Sequence, residues 1–285
     1  MNEILTLQLE ALLAAQTQIM PTHWLQRLGH HRDAVASLCF YNRVPGRVMG
    51  LEAVQYLLPR IDPCIQCQTP LRDGSWVPSG SPLLQVQAPI AVFLLAEPWI
   101  RSLVETLSGI TTGIAQWEEV LSPHGIRILY RQPPVVSAYS AWEREAALQG
   151  GARNHRLFLR EGVRLHDLHY QWMGSLTEAV SVLVEALPPT IKIETEVASL
   201  DQVQEAIEAG SHMLLLRDMT LAEVKLAVRT GQRRVWIEWM KPFHFPRDVP
   251  LLLESGVQLV STTSLLAVPP VWPLYVQVET SPEIG

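Results

Sequence analysis

Charged side chains alternate with apolar ones in the segment 191–197, whose sequence is Ile-Lys-Ile-Glu-Thr-Glu-Val. Successive side chains of an extended strand point to opposite faces. The isoleucines and the valine would therefore share one face, and Lys192, Glu194 and Glu196 would share the other. We expect the apolar face to pack on helices and the charged face to point inward, toward a charged ligand.

Other charged residues lie at or near the ends of neighbouring predicted strands. They are Arg131, His166, Arg217 and Glu238. In barrels built from strand–helix units, the active-site residues come from the carboxyl ends of the strands and from the loops that follow. The pattern predicts a polar binding site at that end, although a structural salt bridge remains the alternative for each residue.

A histidine–arginine pair follows two glycines in the segment 150–156. Gly150 and Gly151 could simply end the preceding helix as a C-cap. His155 and Arg156 could instead hold a carboxylate, because arginine offers a planar fork of donors and a protonated histidine adds another. Spacing alone leaves both interpretations open.

The elements that must position these residues alternate regularly from about residue 109 onward. Such alternation is typical of strand–helix units around a parallel sheet or barrel. The predicted strands are 126–130, 163–165, 191–197, 213–216, 234–238 and 258–260, and the predicted helices are 137–149, 176–187, 200–209, 221–230 and 248–255. About six units indicate an incomplete barrel rather than the full eight.

The first hundred residues do not show this regular alternation of strands and helices. Leucines at helical spacing predict a helix over 3–19, and glycines and prolines divide residues 73–84 into short β pieces. This half is predicted to be a small mixed α/β layer. The segment 271–278 predicts a strand with no helix after it, and we expect it to return to this first domain.

Composition excludes several classes of function. The formal net charge of −6 argues against nucleic-acid binding, because such proteins need a basic face. The longest apolar run, residues 88–96, is much shorter than the roughly 20 residues of a membrane span. No signal peptide is visible at the N-terminus. Cys64 and Cys67 have metal or redox spacing but lack a second pair, so we expect reduced thiols in a cytoplasmic protein.

Several segments, in order, resemble the signature segments of the quinolinate phosphoribosyltransferase family. They are Leu-Ser-Gly-Ile-Thr-Thr at 107–112, Gly-Gly-Ala-Arg-Asn-His-Arg at 150–156, Leu-His-Asp-Leu-His at 165–169, Ile-Glu-Thr-Glu-Val at 193–197, and the segments 210–220 and 255–261. The likeness covers roughly residues 35–280. It implies the type II phosphoribosyltransferase fold, in which an N-terminal α/β sandwich (1–108, joined by 268–285) accompanies an open α/β barrel of about six strands (109–267).

The resemblance also implies a function. The family is a group of glycosyltransferases of NAD biosynthesis, normally homodimers, which use magnesium. They convert quinolinate and phosphoribosyl pyrophosphate to nicotinate mononucleotide, diphosphate and carbon dioxide. The basic pocket that grips quinolinate is kept in part, since Arg131, His155 and Arg156 match family residues. A family lysine has become Gln132 and another has become His166.

The sugar-phosphate side departs further from the family pattern. Glu196 matches a family acid, but Arg217 replaces its aspartate partner, and Pro98 stands where a partner-subunit arginine belongs. One glycine-rich phosphate loop reads Met240-Lys241-Pro242, and a second reads Ser261-Thr262-Thr263. Glycine lets backbone N–H groups approach a phosphate, whereas proline has no N–H. These replacements predict loss of the magnesium site and of the parental activity.

Three functions follow as alternatives. The chain could be a pseudoenzyme that binds a small carboxylate, a phosphate-bearing ligand or a protein partner. It could be a divergent enzyme in which Arg217, Lys241 and His166 form a new anion site, or it could retain weak parental activity. The predicted ligand-binding set is Arg131, His155, Arg156, His166, Glu196, Arg217 and Lys241, with no catalytic residue, cofactor or metal ligand assigned. Arg217 is expected to pair with Glu196 or Glu238.

Overall fold

The computed structural model describes residues 3–16, 34–131, 139–156, 161–231, 234–266 and 271–280. Gln132 and the end of the helix predicted over 3–19 lie outside these ranges. Contacts within the chain divide it into two units. The first comprises residues 1–115, 134–150 and 268–285, and the second comprises 116–133 and 151–267. No helix in the described ranges is long and apolar enough to cross a membrane.

The first unit is built on an antiparallel sheet with the strand order β13-β1-β5-β3 and a separate β2–β4 ribbon. Its elements are α1 (Glu3–Gln16), β1 (Val35–Asn42), β2 (Gly46–Arg47), α2 (Leu51–Ile61), β3 (Gln66–Gln68), β4 (Trp76–Val77), β5 (Pro82–Pro89), most of α3 (Ile90–Leu121), α4 (Ser140–Gln149) and β13 (Leu274–Thr280). The segment after β5 is a long helix, which the sequence analysis did not predict. Its apolar run fits a helix as well as a strand, so the hydrophobic pattern alone did not distinguish them.

A buried asparagine closes the turn-rich part of this unit. The Asn42 side chain donates to the carbonyls of Val44 and Pro78, both at 2.8 Å, and accepts from the Ser81 amide at 2.8 Å. Asn42 is fully buried, so each of these hydrogen bonds replaces one that water would make in the unfolded chain. The side chain therefore ties β1 to the loop that leads into β5.

The second unit is an open barrel around a seven-stranded parallel sheet with the order β7-β6-β12-β11-β10-β9-β8. Its strands are β6 (Arg127–Tyr130), β7 (Arg153–Asn154), β8 (Gly162–Leu165), β9 (Lys192–Val197), β10 (Met213–Arg217), β11 (Trp236–Met240) and β12 (Leu259–Ser261). The prediction of an open α/β barrel is confirmed. The sequence indicated about six strands, and the additional one is β7, whose two residues are too few to show a period.

Helices follow most of these strands, and those predicted to begin at residues 176, 200, 221 and 248 begin within one residue of these positions. The helices are α5 (Asp167–Met173), α6 (Leu176–Ala186), α7 (Leu200–Ala209), α8 (Leu221–Gly231), α9 (Val249–Ser255) and α10 (Thr262–Leu265), and a 3₁₀ turn spans Ser122–His124. Ser199 caps α7 by accepting a hydrogen bond from the Gln202 amide, and Gly210 ends the helix at φ 103°. Such local signals fix where this helix starts and ends.

Candidate functional site

The register of the barrel sheet aligns charged residues from four strands on one face. Glu194 of β9 is paired with Arg164 of β8, and Leu215 of β10 is paired with both Glu196 and Glu238. Paired residues of parallel strands point to the same side of a sheet. The side chains of Glu194, Glu196 and Glu238 are accordingly buried on this face, as the alternation in the sequence predicted.

Lys192 departs from the prediction. Because side chains alternate along a strand, Lys192 belongs to the same face of β9 as Glu194 and Glu196, but it is exposed. Lys192 is the first residue of the strand, whereas Glu194 and Glu196 lie further toward its carboxyl end. A long ammonium side chain at a strand terminus reaches water at little cost, so it is not drawn into the barrel.

Four residues form the first group of contacts, which we call the Arg131 cluster. Arg131 Nη2 donates to Glu194 Oε1 at 2.6 Å and to Glu238 Oε2 at 2.8 Å, and Arg131 Nη1 reaches Glu194 Oε2 at 3.4 Å. His155 Nε2 lies 3.4 Å from Glu194 Oε1 and 3.4 Å from Arg131 Nη2. The side chains of Arg131, Glu194 and Glu238 are only 12%, 6% and 0% exposed. One guanidinium thus holds two buried carboxylates together.

The ionisation of this cluster follows from its contacts. Burial raises the pKa of Glu194, but the hydrogen bond from His155 and the charge of Arg131 outweigh it and lower the pKa to about 2. Burial lowers the pKa of Arg131, but the charges of Glu238 and Glu194 raise it well above its ordinary value. The Arg131–Glu194 pair is therefore ionised throughout the physiological pH range.

A second group, the Arg164–Glu196–Arg217 triad, lies on the adjacent strands β8, β9 and β10. Arg217 Nη1 donates to Glu196 Oε1 at 2.8 Å, and Arg164 Nη2 donates to Glu196 Oε2. The Glu196 side chain is 7% exposed, whereas those of Arg164 and Arg217 are 27% and 38% exposed. Two partly open guanidinium groups therefore share one buried carboxylate.

The triad confirms one expectation about Arg217 and corrects another. The expected contact with Glu196 is present, while the other suggested partner, Glu238, is bound by Arg131. Removal of Arg217 would not leave Glu196 unpaired, because Glu196 would keep Arg164.

Sequence reasoning missed Arg164 as a site residue. Its strand was predicted. Arg164 lies two residues before His166, on the inward-facing side, so the alternation of side chains along the strand could have identified it. A segment of four residues is too short to show clear alternation, and the sequence alone does not reveal which residue of β9 is paired with Arg164.

Arg156, His166 and Lys241 are held elsewhere by their described contacts. Arg156 Nη1 donates to the Gly162 carbonyl at 2.7 Å. His166 contacts its own neighbours: the His169 ring lies 4.0 Å away between centroids, and Asp167 Oδ1 is 3.4 Å from His166 Nδ1. The expected grouping of Arg217, Lys241 and His166 is therefore not seen among the described contacts, because short-range partners compete for each side chain.

Lys241 follows β11 and lies against two aromatic rings. Its ammonium lies 5.3 Å from the centroid of the Trp239 ring and 5.8 Å from that of Phe243. Trp239 and Phe243 are buried and pack edge to face with centroids 5.4 Å apart. The electron-rich ring faces attract the ammonium, which anchors the loop that begins at Met240.

The junction of β12 and α10 uses its hydroxyl groups internally. Thr262 Oγ1 accepts a hydrogen bond from the Arg131 amide at 3.1 Å and donates to the Arg131 carbonyl at 3.2 Å. Ser261 Oγ lies 3.0 Å from Thr263 Oγ1 and 3.2 Å from Ser264 Oγ. These bonds position the Arg131 backbone at the end of β6.

The donor atoms of His155, Glu194 and Glu238 lie within 4.8 Å of one another, a grouping that could suit a metal ion. However, the Arg131 guanidinium lies 2.6 and 2.8 Å from the two carboxylates. A cation at that distance competes directly with a divalent ion for the same oxygens. Glu196, the remaining acid of the two groups, is taken by two arginines. The residues present therefore do not fit the magnesium ion that the family resemblance implies.

Comparisons with known proteins agree with the fold. The family model for the C-terminal domain of quinolinate phosphoribosyl transferase matches residues 135–271. A probable nicotinate-nucleotide pyrophosphorylase (carboxylating) of Synechocystis sp. is 27% identical over 222 residues, which is 77% of this chain and 75% of the relative. The nicotinate-nucleotide pyrophosphorylase (carboxylating) of Mycobacterium leprae is 29% identical over 190 residues, or 66% of each chain.

Solved structures share the architecture over nearly the whole length. The nicotinate-nucleotide pyrophosphorylase of Francisella tularensis superposes with a TM-score of 0.82 at 19% identity, covering 95% of this chain and 96% of the other. A structure from Streptococcus pyogenes gives a TM-score of 0.76 at 22% identity, covering 95% and 96%. The barrel and the antiparallel sheet correspond to the type II phosphoribosyltransferase fold. Together with the sequence matches, they support membership of this chain in the quinolinate phosphoribosyltransferase family.

Proposed function

We propose that this chain binds a small carboxylate at the carboxyl ends of the barrel strands and does not transfer a phosphoribosyl group to quinolinate. The observation that carries the proposal is the pairing of Glu194, Glu196 and Glu238 with arginines. A magnesium-dependent reaction needs carboxylates that are free to orient a metal–diphosphate complex. Here each of these acids already has a cationic partner.

The backbone at the phosphate loops supports the same proposal. Met240, Lys241 and Pro242 occupy one loop, so side chains fill the space that glycine would leave open, and proline supplies no donor. In the other loop, the hydroxyls of Ser261 and Thr262 bind neighbouring protein groups. Neither segment has the glycines that let backbone amides approach a diphosphate closely.

The charge balance favours an anion as ligand. The Arg131 cluster has one arginine for two glutamates and is deeply buried, so it serves as a structural support. The triad has two arginines for one glutamate and is partly open to water. Excess positive charge that solvent can reach attracts a carboxylate and offers it forked donors.

A divergent enzyme with another anionic substrate is the second candidate, favoured by the same open positive charge. In either case we propose a cytoplasmic homodimer without a metal cofactor. Support for the dimer comes from the first part of α3, where Ile90, Val92, Leu94 and Leu95 are only partly buried within one chain. A self-complementary contact would cover such a surface.

The proposal is tested by incubating the chain with quinolinate, phosphoribosyl pyrophosphate and magnesium and measuring nicotinate mononucleotide by mass spectrometry. We expect none above background, while the Mycobacterium leprae relative, run in parallel, serves as the positive control. A turnover near 1 s⁻¹, the low end of ordinary enzymes, would show that the parental reaction persists and that the proposal is wrong.

A further inference from the structure

The geometry points to the Arg164–Glu196–Arg217 triad as a metal-independent clamp for one carboxylate group of a small ligand. This inference rests on the proposed function and specifies its binding site. The clamp is made of residues that this chain combines in its own way, since Arg217 replaces an acid of the family pattern and Arg164 reaches the same glutamate from the opposite neighbouring strand.

The strand order sets up the clamp. Glu196 lies on β9, between β8 and β10, and each oxygen of its carboxylate accepts from an arginine of a different neighbour. The Tyr170 hydroxyl donates to the Glu196 carbonyl at 2.6 Å and lies 3.2 Å from the Leu165 carbonyl, which places it between the ends of β9 and β8. Both guanidinium groups are therefore held near one point before any ligand arrives, and a preorganised site loses less entropy on binding.

Each guanidinium retains donors for a ligand. Arginine has five N–H groups, and the contact with Glu196 uses Nη2 of Arg164 and Nη1 of Arg217. Among the described residues, Arg164 Nε is buried without a hydrogen-bond partner. Arg217 Nε lies 3.4 Å from an oxygen of Asp218, whose side chain is 79% exposed, so water screens that charge.

Charge balance selects the class of ligand. Two arginines and one glutamate give the triad a net charge of +1, which one carboxylate would neutralise. A dianionic phosphate would instead leave an excess negative charge beside the buried Glu196, and such an excess is costly where water is partly excluded. A magnesium ion would be repelled by the two guanidinium groups, so binding should not require it.

The test is a calorimetric titration of the full chain with nicotinate, a planar monocarboxylate, in buffer containing EDTA. We expect binding that added magnesium does not strengthen. Arg217→Ala and Arg164→Ala should each weaken it by about 10- to 100-fold, as expected for loss of a charge-assisted hydrogen bond. Arg217→Lys should weaken binding less, because lysine keeps the positive charge but lacks the paired planar donors of the guanidinium. Arg229→Ala, which removes an exposed arginine of α8, is the charge-matched control and should bind like the unchanged chain.

The outcomes separate the clamp from the broader proposal. If the unchanged chain binds nicotinate and the Arg164 and Arg217 variants bind equally well, the clamp is wrong and the carboxylate site lies elsewhere. If inorganic phosphate binds more tightly than nicotinate, the assignment to a carboxylate is wrong. If the unchanged chain binds neither nicotinate nor quinolinate, the proposed function itself fails. Urea unfolding of each variant, which should show similar midpoints, separates weaker binding from loss of the fold.

Discussion

Replacing Arg131 by methionine would remove the guanidinium that holds Glu194 and Glu238 together inside the barrel. Methionine keeps most of the aliphatic stem, so the change isolates the charged group from the packing. Among the described contacts, Glu238 would be left without a cationic partner, and Glu194 would keep only His155. Two carboxylates would then be buried with insufficient compensation.

The size of the effect can be worked out from Glu194. Burial raises its pKa, and the contacts with His155 and Arg131 lower it from an ordinary 4.5 to about 2. At 1.36 kcal/mol per pKa unit, this difference corresponds to about 3 kcal/mol. Breaking a buried ion pair from one side typically costs 3–5 kcal/mol, and Glu238 loses its partner as well. We therefore expect Arg131→Met to reduce the free energy of unfolding by about 3–5 kcal/mol at neutral pH.

The loss of unfolding free energy caused by Arg131→Met should become smaller as the pH falls. In the unchanged chain the lowered pKa of Glu194 contributes stability that is fully present above its ordinary pKa of 4.5 and is lost as the pH falls toward 2. In the variant, Glu194 lacks Arg131 and its pKa rises. Acid then protonates Glu194 in the folded state, so the difference between variant and unchanged chain should shrink between pH 7.5 and pH 5.

Urea unfolding followed by tryptophan fluorescence at these two pH values measures the difference. Arg217→Met is the matched control: its side chain is 38% exposed and Glu196 keeps Arg164, so its cost should stay below about 1 kcal/mol. The reasoning would be refuted if Arg131→Met cost no more than Arg217→Met at pH 7.5, or if its cost did not change with pH.

Two further predictions concern the first unit. Asn42→Ala should cost more than about 2 kcal/mol, because it leaves the Val44 and Pro78 carbonyls and the Ser81 amide without their partner; urea unfolding checks this, and a cost under 0.5 kcal/mol would contradict it. Analytical ultracentrifugation at micromolar concentration should show a homodimer, in keeping with the partly buried apolar residues at the start of α3, and a monomer under those conditions would rule it out.

Local patterns in the sequence were sufficient for most of the barrel. The helices predicted over 200–209 and 221–230 agree with α7 and α8 to within one residue, because capping residues and a 3.6-residue period act over a single turn. The alternation in 191–197 also placed Glu194 and Glu196 on the inward face. The start of α3 was missed because a continuous apolar segment fits either type of element.

The partners of the charged residues were decided only by the tertiary structure. Sequence analysis grouped Arg131, His155, Arg217 and their neighbours as one site, but it did not show that Arg131 binds Glu194 and Glu238, or that Arg164 shares Glu196 with Arg217. Arg131 and Glu194 are separated by 63 positions in the chain; Arg131 directly follows β6 and Glu194 lies on β9, and these two strands are not adjacent in the sheet. Whether an inward-facing charge meets an acid, another cation or water depends on strand order, register and the curvature of the sheet. These are non-local properties, whereas periodicity and capping depend on residues a few positions apart.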